Sequence, residues 1–104
     1  MRVIEIDGSS WRKAWEFCDA LCLAIKAPQG HGSSPDAFTD SMIWGGMNGL
    51  EAPYVVRIVG TERAPKEVSD YIELVRTALV EGREDRRSSG RGDMEVSLEV
   101  FTGH

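Results

Sequence analysis

The sequence predicts an α/β domain of two layers: a three-stranded parallel sheet with helices packed mainly on one side. Three observations point there. Short runs rich in β-branched residues alternate with longer stretches of helical spacing, in the order strand, helix, helix, strand, helix, strand. Strands separated by helices imply parallel pairing through crossover connections. The middle run, Val55, Val56, Ile58 and Val59, is the most apolar, which predicts a central strand covered on both faces. The outer two strands alternate apolar and polar residues, which suits edge strands with helices against one face only.

Taken in order, Val3 to Ile6 forms the first strand, with Ile4 and Ile6 on one face and Val3 and Glu5 on the other. Asp7-Gly8 marks a turn. Ser9 or Ser10 then caps a helix reaching about Lys26. Its stripe of Trp11, Ala14, Trp15, Cys18, Leu21, Cys22 and Ile25 follows helical spacing, and Phe17, Leu23 and Ala24 widen it, so the helix is expected to be well buried. The two tryptophans are expected in the core and at a packing edge. Pro28 and Gly30 end the helix.

A second, short helix opens at Ser34, a good N-cap, with Pro35 at the first helical position, where a missing N–H costs nothing. Asp36 falls in the first turn, where a carboxylate suits the positive end of the helix dipole. Asp40 follows one turn later on the same face. The spacing gives this helix an apolar side, with Phe38, Met42 and Pro35, and an acidic side presenting Asp36, Thr39, Asp40 and Ile43. Gly45-Gly46 ends it, and residues 45–52 form a glycine-rich loop.

Pro53 introduces the central strand, a position proline tolerates; the Ala52–Pro53 bond is left open between cis and trans. Residues 61–66 make a polar connection. A long helix then runs from about Pro65 to Gly82, with Val68, Tyr71, Ile72, Val75, Ala78 and Leu79 at helical spacing and Gly82 as its C-cap glycine. The arginine-rich residues 83–92 read as a mobile charged loop. The last strand carries Met94, Val96, Leu98 and Val100 on one face and Glu95, Ser97 and Glu99 on the other.

The 104 residues suit one domain, 1–104. Acidic residues outnumber basic ones, 17 to 12, for a net charge of −5. This argues against nucleic acid or an anionic membrane as partner and favours a basic protein or cationic cleft. Cys18 and Cys22 lie four apart on a helix, read as buried free thiols rather than a disulfide. The amino-terminal strand has no apolar signal core, and no apolar run approaches a membrane span, so the expected compartment is the cytoplasm.

Catalytic readings are poor. The histidines are His31 and His104, and no Ser-His-Asp or Cys-His set is suggested by spacing. There is no phosphate loop or dinucleotide fingerprint, and Cys18, Cys22 and His31 lack a standard zinc spacing, so no cofactor and no metal is expected. The chain is therefore read as a non-enzyme; the competing class is a small hydrolase using His31 with Asp36. An i,i+4 acidic pair is, on its own, most simply a solvated surface.

With those residues in view, the chain resembles the barstar family, small intracellular inhibitors of secreted ribonucleases of the barnase type. The resemblance rests on His31-Gly32-Ser33-Ser34-Pro35-Asp36-Ala37-Phe38-Thr39-Asp40, on Pro53-Tyr54-Val55-Val56, and on the helix ending Leu74 to Gly82. It implies a monomer when free that inhibits a basic ribonuclease or related toxin. Asp36 and Asp40 would face that enzyme, and Asp40 would stand where the substrate phosphate sits, gripped by arginines. Gly32 would let the loop backbone approach, and Ser34 would add a hydrogen bond. Several positions depart from the family: Gly30 and His31 replace tyrosines, Thr39 replaces a tryptophan and Thr77 a glutamate. His31, Thr39 and Thr77, with Ile43, complete the expected partner face. The alternative is an interaction module using the same face without an enzyme target.

Overall fold

The computed structural model describes residues 2–28, 30–45 and 49–101; His104 and loop residues 46–48 lie outside them. Strand β1 spans Arg2–Asp7, β2 Tyr54–Val59 and β3 Val96–Phe101. They form one parallel sheet in the order β1-β2-β3, with Arg2 opposite Tyr54 opposite Val96 and Asp7 opposite Val59 opposite Phe101. Helix α1 is Ala14–Ala24, α2 is Pro35–Thr39 running on into a π-helical turn, Asp40–Trp44, and α3 is Lys66–Ser88. The order of elements, the parallel pairing and the central place of β2 are as expected. The Ala52–Pro53 peptide is cis.

The core lies between the sheet and the helices. Tyr54, Val56 and Ile58 of β2 point into it, meeting Phe17, Leu21, Phe38, Met42, Val68, Ile72, Val75 and Leu79. The other face of β2 is not covered, contrary to expectation: Val55, Arg57 and Val59 are only half-buried. The reason stands in the middle of the run. Arg57 lies in register between Glu5 and Glu99 and pairs with Glu99 at 3.0 Å. A helix laid over that rung would have to desolvate three charges.

Helix α1 starts later than the serines suggest. Asp7 accepts a hydrogen bond from the Ser9 N–H at 2.9 Å, turning the chain, and Trp11 is buried against Gly8 before any helix begins. The helix is instead opened by Glu16, whose carboxylate accepts from the N–H groups of Arg12 and Lys13 at 2.8 and 3.0 Å. Its buried stripe is Phe17, Cys18, Leu21 and Ile25; Trp15 and Leu23 face solvent, 62% and 82% exposed. Trp11 is thus the core tryptophan, while Trp15 packs less than expected.

The long helix does not stop at Gly82. It continues to Ser88, into the stretch read as a loop, stabilised by the Arg87–Glu84 pair at 2.8 Å and by Arg83 gripping Asp93 through two bonds of 2.7 Å. Gly82 is buried in mid-helix because α2 crosses there. A Cβ at Gly82 would fall inside contact distance of Thr39 Cγ2, closer than real Cβ atoms stand. A missing side chain on α3 thus sets how closely α2 approaches. Among the described residues no helix is long and apolar enough to cross a membrane.

Candidate functional site

The expected face is built on α2 and its π turn. Ser34 Oγ accepts from the Ala37 N–H at 3.1 Å, and Pro35 sits at the helix start, as the sequence suggested. The Ser34 oxygen is thereby engaged as a cap. Ahead of it, Tyr71 donates to the Ser33 carbonyl, and the Cys18 thiol donates to the same oxygen at 3.7 Å. These contacts hold the loop that feeds the helix. Sequence reading passed over Tyr71 as an apolar stripe residue, although a packed tyrosine hydroxyl needs a partner.

Asp36 and Asp40 are both exposed. Among the described residues neither stands within ion-pairing distance of a cation. The opposite side of the helix is locked, with Phe38 fully buried and Met42 nearly so. The carboxylates therefore project from a backbone that cannot readily yield. Thr39 is half-buried, its hydroxyl donating to the Pro35 carbonyl at 3.0 Å and its methyl turned to Gly82.

Ile43 corrects the expectation. It was placed on the acidic side by α-helical spacing, but it is fully buried. From Asp40 the backbone widens into a π turn, closed by the Gly45 N–H donating to the Asp40 carbonyl at 3.1 Å. That i→i+5 bond retards the rotation of the following residues. Ile43 then falls in the core beside Met42, and Trp44 emerges, with the guanidiniums of Arg86 and Arg91 each 5.9 Å from its ring centroid.

His31 is half-buried and packs on Phe38 with ring centroids 5.2 Å apart. Its Nδ1 is directed to the Gly32 carbonyl and lies 3.8 Å from the Cys22 sulfur. Among the described residues it has no hydrogen bond to Asp36. A Cβ on Gly32 would stand 3.1 Å from Ala37 Cβ, so a side chain there would crowd the first turn. Thr77 is exposed on α3, in a groove of about 640 Å³ shared with Pro35, Leu74, Glu73 and Glu81. The groove therefore adjoins α2 and is acidic. Glu73 is tied to Arg76, and its carboxyl is held below the usual range by that hydrogen bond.

The thiols are poorly suited to chemistry. Burial pushes Cys18 up to about 11, helped by the neighbouring Cys22 and Asp19, and burial raises Cys22 as well. Neither offers a ready thiolate near neutral pH. Among the described residues no group of three or more His, Cys, Asp or Glu side chains is placed to hold a metal ion.

Comparison with known proteins returns one family, described as Barstar (barnase inhibitor), which matches residues 1–100. No curated protein matches the chain.

Proposed function

Because the chain belongs to the barstar family, we propose that it is a reversible protein inhibitor of a cationic ribonuclease or related toxin, acting in the cytoplasm of the cell that makes it. The acidic helix covers the enzyme's active site, and the chain turns over nothing itself. One observation supports this reading: Asp36 and Asp40 are exposed, with no cation in ion-pairing distance among the described residues, on a helix whose other side is buried in the core. A fixed carboxylate is a good mimic of a substrate phosphate, since arginine grips either one bidentately. Little side-chain order must be imposed on binding when the backbone beneath is already held.

Asp40 is the central anchor and Asp36 the second. His31, Gly32 and Ser34 form one flank of the interface, and Thr39 and Thr77 line the other. Ile43 supports the face from beneath. The test is affinity for a catalytically inactivated ribonuclease of the barnase type. Removing one member of a buried charge pair costs about 2–5 kcal/mol, a range to which complexes of this type themselves contributed. Asp40→Ala should lose that much, mainly by faster dissociation, with the melting temperature unchanged. A loss under about 0.5 kcal/mol, the range of an ordinary surface substitution, sinks the reading.

A further inference from the structure

Resting on that reading, we propose that a second pocket takes a lysine or arginine side chain of the inhibited ribonuclease. It lies between the carboxyl end of α1 and the loop ahead of α2. Its volume is about 390 Å³, and Asp19, Cys22, Leu23, Pro28 and His31 bound it.

Charge and shape choose the occupant. Asp19 is the one acidic residue of the lining, it is exposed, and among the described residues no cation stands within ion-pairing distance of it. One turn on from it Leu23 is 82% exposed on the same open side of α1. A carboxylate next to an apolar wall suits a side chain with an aliphatic stem and a cationic head. An acidic group would be repelled by Asp19, and a purely apolar one would strip water from the carboxylate without replacing it.

Continuity ties the pocket to the helix. His31 forms one wall and stacks on Phe38 of α2. From His31 the chain runs through Ser33, held by Tyr71, into the Ser34 cap. The pocket is thus linked to the acidic helix through His31 and the loop held by Tyr71, and on this proposal a partner lying over Asp36 and Asp40 reaches it. The same cationic surface that meets Asp40 can supply the occupant, and an added carboxylate at the rim would also speed encounter at low salt.

The experiment uses the full chain and a catalytically inactivated barnase-type ribonuclease as probe. Asp19→Lys should raise Kd about tenfold or more, through a repelled cation. Glu5→Lys, the same change of charge on the open sheet face, should change it by less than about threefold, since exposed charges beyond about a Debye length are screened. In a Cys18→Ala background at about pH 9, where thiolate becomes available, alkylation of Cys22 by iodoacetamide should slow in the complex. Thermal melts of each variant separate loss of fold from loss of contact. If Asp40→Ala weakens binding while Asp19→Lys matches Glu5→Lys and Cys22 stays reactive, the acidic-helix reading stands and the pocket is overturned. If the unaltered chain does not bind the probe, or Asp40→Ala has no effect, the parent reading fails and the pocket's role falls with it.

Discussion

Replacing Gly82 with alanine sets two opposing effects against each other. In an exposed helix interior alanine is better than glycine by about 1 kcal/mol. Here the new methyl would intrude on Thr39 Cγ2. Thr39 has little room to turn: it is β-branched, hence stiff at χ1, and its hydroxyl is bonded to the Pro35 carbonyl at 3.0 Å. The segment carrying Asp36 and Asp40 must back away, and overpacking of this kind costs about 1–3 kcal/mol. The clash should win or balance, so Gly82→Ala should leave stability unchanged or lower it by up to about 2 kcal/mol. The decisive measurement is a cycle with Thr39→Ser, which removes the offending methyl and keeps the hydroxyl. In that background Gly82→Ala should stabilise by up to about 1 kcal/mol, giving a coupling of about 1–3 kcal/mol. Urea unfolding fitted as two-state supplies the numbers. If Gly82→Ala stabilises equally in both backgrounds, α2 does not rest on Gly82, and the packing that presents the carboxylates is wrong.

Other substitutions probe the supports of the site and the pH limits of the fold. Tyr71→Phe removes the donor to the Ser33 carbonyl and should cost about 0.5–1.5 kcal/mol; unchanged urea stability would show that this bond does not hold the loop. Asp7 and Glu16 have carboxyls held below the usual range by backbone N–H groups, of Ser9 for the first and of Arg12 and Lys13 for the second. A lowered folded value contributes stability above the unfolded value, near about pH 4, and loses it as pH falls through the folded one. Glu16→Gln should therefore flatten the acid limb of a melting-temperature profile, and an unaltered limb refutes the capping role. Cys18 titrates the opposite way, pushed up to about 11 by burial. Its contribution is full below the unfolded value of about 8.5 and is lost as pH rises through the folded one. Cys18→Ala should shallow the alkaline limb in part, since Cys22 and Tyr71 shift in the same direction.

Local rules written into the chain were enough for much of this protein. The run around Val56 identified the central strand because a nearly continuous β-branched run has few other places to go. Ser34-Pro35 located the start of the acidic helix because capping depends on neighbours in sequence, and the spacing of Asp36 and Asp40 put both carboxylates outward. What tertiary structure decided were the features set by contacts between distant segments. Gly82 reads as a stop signal until Thr39 is seen against it, 43 positions away in the chain, with α3 running past. Ile43 reads as surface until the π turn rotates it into the core. Arg57 sits among valines in a way that became intelligible only with Glu5 and Glu99 on either side. A glycine, a helical phase and a charge each have more than one solution locally. The chain packed against them selects among those solutions, because burial and close approach are properties of pairs of segments and not of either one alone.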